Sequence, residues 1–330
     1  MTREELLNRF LQENGWGAAK RVPLVADASL RTYDRLYLGD KSAILMNSPL
    51  SERPEQFVLI DELLRKTGVH APEILASDLE NGFLLLEDFG NDTFTHLLAQ
   101  DFPEFDLYKK GIDTLIQLQN KVVLPAEGIP LYSFDRLMNE VMLCPNWFGK
   151  YALKGGLSDE AVSEFRQIWA DLIQKLISLP QTLVLLDYHA DNLMITQAGD
   201  CGVLDFQDAR IGPVGYDLMS LLEDERRDVS ADVRDRLIEH YFKNCPQFDL
   251  PLVRETLPII TMQRHTKVIG IFVRLFMRDK KEKYLNMIPL VWQLTERHLT
   301  EPVFAAYRDW INRYIPEQVR HTALNKEDLI

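Results

Sequence analysis

Residues 185–209 read LLDYHADNLMITQAGDCGVLDFQDA, and the rest of the chain is interpreted outward from this stretch. Its apolar runs at 183–186, 193–195 and 202–204 are short and joined by polar loops, which predicts strands and turns. Asp187 and Asn192 stand five residues apart on the loop between two of these runs, and Asp205 closes the third. Phosphoryl transfer needs these three groups. One carboxylate accepts or orients the proton of an attacking hydroxyl, while an amide oxygen and a second carboxylate hold Mg²⁺ against the phosphates of ATP. A loop between strands presents Asp187 and Asn192 together, and a hairpin returns Asp205 to the same place. The D-x-x-x-x-N spacing occurs once in the chain. One such match arises by chance, so its weight comes from what surrounds it.

Upstream, the texture is that of a small sheet. Thr2 and Glu5 form a capping box for a helix running to about Gln12 and ended near Gly15. Strand signals follow at 22–25, 32–38 and 42–46, with Gly39 and Asp40 as turn residues. Pro54 opens a helical pattern with Phe57, Ile60, Leu63 and Leu64 on one face, closed by Gly68. Asn81-Gly82 marks a hairpin between 74–76 and 83–86. This predicts five strands with one helix inserted after the third. Beyond Asp88-Phe89-Gly90, helical periodicity takes over at 93–100, 105–121, 134–143, 159–178, 214–226, 231–243, 251–278 and 284–299. The expected division is a β-rich lobe at 1–88 and a helical lobe at 89–330 that contains the strand-and-loop patch.

Composition bounds the function classes. The 330 residues are 46% hydrophobic with a formal net charge of −13, ordinary for a folded protein and a poor match for nucleic acid or an anionic membrane surface. Apolar runs stay well short of a membrane span, and the N-terminus MTREELLNRF lacks a signal-peptide core. Three cysteines without CxxC spacing argue against a disulfide framework or a structural zinc site. The expectation is a soluble cytoplasmic protein; oligomeric state stays open.

The chain resembles the aminoglycoside phosphotransferase/choline kinase superfamily, relatives of the protein kinases. The segments that carry the likeness are DASLRTY (27–33), ILMNSP (44–49), FLLLEDFG (83–90), DYHADNLM (187–194), LDFQDARIGPVGYDLMSLLED (204–224) and QRHTKVIGIFVRL (263–275). Within the superfamily it is most similar to the bacterial anomeric kinases of N-acetylmuramate and N-acetylglucosamine, which serve cell-wall recycling. The resemblance implies an α+β, two-lobed protein-kinase-like fold with a small β-rich N-lobe and a large helical C-lobe. It implies Asp187 as the catalytic residue, Asn192 and Asp205 as Mg²⁺ ligands, and backbone near Glu87 and Phe89 meeting the adenine of ATP. The acceptor it implies is an amino sugar phosphorylated on its anomeric hydroxyl.

The sequence departs from the family pattern in three places. Leu185 stands where relatives often carry histidine, and no glycine-rich loop covers the phosphates at 27–33. Met46 occupies the position of the usual ATP-binding lysine, and Lys41 comes too early to replace it. Arg31 is the candidate replacement, since guanidinium binds phosphate oxygens in pairs; the alternative is a solvated hairpin residue. His189 and Asp208 are candidates for the acceptor side. Arg264 and Lys267 share a helix face and point either to acceptor recognition or to salt bridges. Asp217 is read as a cap or a brace for the catalytic loop, Trp147 as core or sugar platform, and 223–227 as a solvated helix end. Two other functions stay open: transfer to an aminoglycoside, choline or related amine, and nucleotide binding without catalysis.

Overall fold

In the computed structural model, residues 1–24 and 30–324 are described. Val25 of the expected first strand, and Asp27, Ala28 and Ser29 of the phosphate-loop candidate, lie outside them. The chain forms two compact units, Met1–Val123 with Asp187–Ala209, and Leu124–Leu186 with Arg210–Ile330.

The first unit is built on an antiparallel sheet in the order β1-β2-β3-β5-β4. Its strands are β1 (Lys20–Pro23), β2 (Thr32–Leu38), β3 (Lys41–Asn47), β4 (Ile74–Asp78) and β5 (Phe83–Leu86). Helix α1 (Arg3–Glu13) starts on the expected capping box, with Glu5 N–H donating to Thr2 Oγ1 at 3.2 Å and Thr2 N–H to Glu5 Oε2 at 2.8 Å. Its Leu7, Phe10 and Leu11 pack on Leu36, Ala43, Leu45, Phe83 and Leu85. Those five alternate along their strands, so one face of the sheet is covered by α1. Helix α2 (Pro54–Thr67) begins at the proline and ends at Gly68 in the left-handed region, φ 82°. Gly82 in the β4–β5 hairpin has φ 74°, and its carbonyl accepts from Ser48 N–H at 2.8 Å; a Cβ there would overlap the Ser48 carbonyl. Helices α3 (Phe94–Leu98) and α4 (Glu104–Lys121) complete the unit with a hairpin of β7 (Leu193–Ile195) and β8 (Cys201–Val203).

The second unit is helical apart from one strand pair, β6 (Gln181–Val184) with β9 (Arg210–Pro213). Its helices are α5 (Phe134–Val141), α6 (Asp159–Ile177), α7 (Tyr216–Leu222), α8 (Ala231–Asn244), α9 (Pro251–Asp279), α10 (Ile288–His298), α11 (Ala305–Tyr314) and α12 (Glu317–His321). Trp169, Tyr307 and Trp310 pack round Phe165 as an aromatic core, and Trp292 packs on Phe148. Nearly every residue from Val253 to Phe276 of α9 is buried, which makes it the axis of this unit.

Several expected boundaries shift for local reasons. β1 starts earlier than 22–25, and the first apolar run of the patch moves to 181–184 because it pairs with β9, a strand absent from the expectation. The run at 284–299 begins as a 3₁₀ turn, Glu282–Met287, before α10. Helix α7 stops at Leu222 rather than 226, and 223–227 is not a solvated end. Glu223, Asp224 and Glu225 are all buried, because Arg234, Arg226 and Arg264 respectively meet their charges. Helices α11 and α12 went unrecognised, although Tyr307, Trp310 and Ile311 follow helical spacing and are the buried face of α11.

Candidate active site

The catalytic-loop candidate starts where β6 ends. Leu185 and Leu186 both donate their N–H groups to the carboxylate of Asp217 in the first turn of α7, at 2.6 and 3.0 Å. Leu186 sits at φ 70°, a conformation that costs energy for a side chain with a Cβ, and Asp217 supplies two charge-assisted bonds to hold it. Asp217 is therefore a brace. Asp187 follows, partly buried. Its carbonyl accepts from Asn192 Nδ2 at 2.9 Å, and Asn192 N–H donates to the His189 carbonyl at 2.9 Å, so the five-residue spacing closes into a tight loop. Tyr188 anchors that loop by donating to the Gly111 carbonyl at 2.7 Å.

The hairpin brings Asp205 alongside. Leu204 N–H donates to the Asn192 carbonyl at 2.9 Å, which places the residue before Asp205 directly against Asn192. Asp205 itself has φ 55°, and its Oδ1 accepts from Gln207 Nε2 at 2.9 Å. Opposite stands Arg31, only 5% exposed. Its Nη1 lies 3.6 Å from Asp205 Oδ1 and its Nη2 lies 3.3 Å from Glu52 Oε2. The solvated alternative for Arg31 is thus excluded by burial between two carboxylates. Burial raises the pKa of the Tyr33 phenol on the adjoining strand, with Arg31 pulling it the other way. Met46 of β3 is fully buried and pairs with Tyr33 and Leu84, so no cation enters from that strand position.

With its amide nitrogen committed to the Asp187 carbonyl, Asn192 keeps an oxygen to offer, and Asp205 adds a carboxylate that is 46% exposed. These are hard oxygen donors of the kind a divalent Mg²⁺ takes alongside phosphates and water. Among the described residues no cluster of three His, Cys, Asp or Glu gathers that could hold a metal ion by itself.

The other expected residues fall in distinct surroundings. The Glu87 carboxylate accepts from Glu73 N–H at 3.1 Å and lies 3.4 Å from His70 Nε2. Phe89 is buried edge-on to His70, ring centroids 5.0 Å apart, and covers Gly202. A Cβ on Gly202 would come 2.5 Å from the Phe89 ring, so glycine is required for β8 to pass beneath it. Asp208 is exposed and His189 is buried with Nε2 3.3 Å from Asn192 Nδ2. Arg264 and Lys267 are both buried in ion pairs, with Glu225 at 3.5 Å and Glu140 at 3.3 Å. Burial pushes Glu140 up, but Lys267, the Tyr132 hydroxyl and Arg136 together hold it below the usual carboxylate range. Trp147 is half-buried in a π-helical turn, Cys144–Gly149, stacked on Tyr151 at 5.7 Å. Glu52 and Ser220 were missed in the sequence: an isolated glutamate after Pro49-Leu50 and a serine within an apolar helix carry no local signal.

Known proteins are similar to this chain in sequence and fold. The profile of a family described as the phosphotransferase enzyme family matches residues 20–255. An N-acetylmuramate/N-acetylglucosamine kinase of Pseudomonas aeruginosa is 35% identical over 303 residues, 89% of this chain and 88% of its own length. A protein of the same name from Neisseria meningitidis is 33% identical over 282 residues, 80% of this chain and 81% of its own. Among solved structures, a choline/ethanolamine kinase family protein from Mesorhizobium loti superposes with a TM-score of 0.65 at 12% identity, covering 94% of this chain and all of the other. An ADP-bound aminoglycoside phosphotransferase gives a TM-score of 0.58 at 14% identity over 92% of this chain and 98% of its own. These structures share the fold, an α+β architecture of protein-kinase type. With the family profile and its relatives both spanning most of the sequence, the chain belongs to the phosphotransferase enzyme family.

Proposed function

We propose that the protein transfers the γ-phosphoryl group of ATP to the anomeric hydroxyl of an N-acetyl amino sugar, N-acetylmuramate or N-acetylglucosamine. The observation that carries the reaction is the convergence of Asp187, Asn192, Asp205 and Arg31 in one unit; the names of the relatives support the acceptor. In this reading Asp187 accepts a hydrogen bond from the sugar hydroxyl and takes its proton as the oxygen attacks the γ-phosphorus in line. The bond from that phosphorus to the β–γ bridging oxygen breaks, leaving ADP and a sugar 1-phosphate. Asn192 and Asp205 would hold Mg²⁺, which when bound neutralises charge on the phosphates. Arg31 supplies the fixed cation that the strand β3 position lacks. Residues 1–88 form the nucleotide-binding lobe in this proposal, with the backbone beside Glu87 and Phe89 meeting adenine. Residues 89–330 carry the catalytic loop and the acceptor site. Asp208 and His189 are assigned to the acceptor side. We place the enzyme in the cytoplasm, where ATP is supplied; among the described residues no helix is long and apolar enough to cross a membrane.

The test is transfer from Mg²⁺·ATP to both amino sugars, with phosphorus NMR of the product. Choline and an aminoglycoside run in parallel. A sugar 1-phosphate is expected. The Asp187→Asn variant should keep nucleotide binding and lose about 10²–10⁴-fold in turnover, the range for removing a positioned general base. Transfer to an amine or aminoglycoside alone would overturn the acceptor. ATP binding without any transfer would overturn catalysis.

A further inference from the structure

The carbonyl of Leu186, immediately before Asp187, points into a set of buried donors. Ser220 Oγ lies 3.3 Å from it and Arg264 Nη1 lies 3.0 Å from it. Arg264 is 2% exposed and comes from the middle of α9, 78 residues further along the chain. Glu225 and Tyr216 help set its orientation. Nη2 meets Glu225 Oε2 at 3.5 Å, and the guanidinium lies 5.3 Å from the centre of the Tyr216 ring. Glu225 is itself 1% exposed, and although burial works against its charge, Arg264 first and then Arg226 and His265 hold it well below the usual carboxylate range. A planar guanidinium can serve a carbonyl and a carboxylate at once, which an ammonium on a flexible stem does poorly.

We propose that Arg264, oriented by Glu225, is a positioning residue for Asp187: by fixing the Leu186 carbonyl it sets the direction in which the chain delivers the catalytic carboxylate. This rests on the assignment of Asp187 as the group that receives the hydroxyl proton. Asp217 fixes the two N–H groups of the same kinked segment, so the peptide planes on both sides of Leu186 are clamped. Removing one clamp frees a residue already held at φ 70° to relax toward ordinary backbone, and the carboxylate that follows swings with it. Arg264 therefore acts on the rate of the chemical step and not on the capture of the sugar.

The experiment compares Arg264→Met, Glu225→Gln and the double variant with the parent in steady-state transfer to the amino sugar. Calorimetric ATP binding counts competent molecules. Arg264→Met alone leaves buried Glu225 without its Arg264 partner and with Arg226 at 3.3 Å; the double variant removes that charge and keeps the test usable if the single variant folds poorly. Expected are a fall in kcat of about 100-fold in the double variant, the scale of a misplaced catalytic group, with acceptor KM and ATP affinity within about twofold of the parent. Glu225→Gln alone should fall by about three- to tenfold, and the two substitutions should be far from additive, since Glu225 acts through Arg264. A raised acceptor KM with kcat preserved would make Arg264 a sugar ligand and overturn the proposal. So would kcat at the parent level, or activity lost only in proportion to the ATP-binding fraction. A parent protein that transfers phosphate to no acceptor would instead overturn the assignment of Asp187, a result visible before any variant is made.

Discussion

At the scale of single residues, Arg31 is the most informative side chain in the candidate site. Met46 is sealed inside the sheet, so in the proposed function the positive charge at the phosphates comes from elsewhere, and Arg31 lies buried between Glu52 and Asp205. Glu52 holds one side of its fork at 3.3 Å, and in the proposed function a phosphate oxygen would take the side now turned to Asp205. Arg31→Met should weaken ATP and ADP binding by about 10–100-fold, the equivalent of one charge-assisted bidentate contact, and leave AMP binding within about twofold. Titration calorimetry with the three nucleotides would show it. Equal losses for all three would mean that Arg31 holds the fold of the strand and not the terminal phosphates. Asp217 shows the complementary case. Its position at the start of a helix reads as a cap, yet its carboxylate reaches back across the chain to two amides at 185 and 186. β6 and β9 pair antiparallel, so the chain that leads into α7 starts from beside Gln181 and Asp217 is brought back to the strand that precedes Leu185.

At the scale of elements, helical and strand periodicity identified most of the secondary structure, and the errors cluster where backbone geometry changes type. The π-helical turn Cys144–Gly149 continues α5 in a wider helix, and its reason lies in α9. A Cβ on Gly270 would overlap the carbonyl group of Leu143 and crowd the Cys144 amide, so the two backbones touch with no side chain between them. Gly270 interrupts the apolar run 268–273 in the sequence, and in the fold it is the contact that lets α9 lie against this turn. Gly270→Ala should cost about 3 kcal/mol or more, beyond the usual range for overpacking because backbone and not side chain must yield. The midpoint of urea unfolding checks this, and a midpoint unchanged from the parent would show that the contact is loose. Helix α9 also carries Arg264 and Lys267, so the same close approach fixes the element from which the ion pairs to Glu225 and Glu140 are made.

At the scale of the molecule, charge is managed by burial as much as by exposure. A chain of net charge −13 buries Asp61, Glu140, Asp217, Glu223, Asp224 and Glu225. Most of these face a cation or a pair of amides. Asp61 on α2 does not fare as well: its Oδ1 has no hydrogen-bond partner among the described residues, and burial pushes its carboxyl up to about 7 from an ordinary 3.8. The folded state thus binds this proton more tightly than the unfolded chain, so stability falls as pH rises from about 4 to about 7 and stays lower above. Asp61→Asn removes that decline. At pH 8.5 the variant should be about 1–3 kcal/mol more stable than the parent, with the gap shrinking as pH falls through 7 and reaching zero only below about pH 4. Thermal unfolding across this range reads the gap directly, and a constant gap would show that the parent keeps Asp61 charged without cost.

What the sequence by itself determined is the part set by local rules and by chemistry of fixed order. The capping box at Thr2 and Glu5, the proline and glycine that bound α2, the hairpin at Asn81-Gly82 and the loop that joins Asp187 to Asn192 all follow from residues a few positions apart. Their geometry needs nothing distant. Tertiary structure decided the partners. Arg31 could be a solvated turn residue until its burial between Glu52 and Asp205 was known. Arg264 and Lys267 could be sugar ligands or ion-paired core until Glu225 and Glu140 were found beside them. The tract 223–227 read as a solvated end because charges in sequence look exposed, and it is buried because cations far along the chain arrive to meet it. The free energy of a charge depends on what surrounds it within a few ångströms. No spacing rule in the sequence reports that distance.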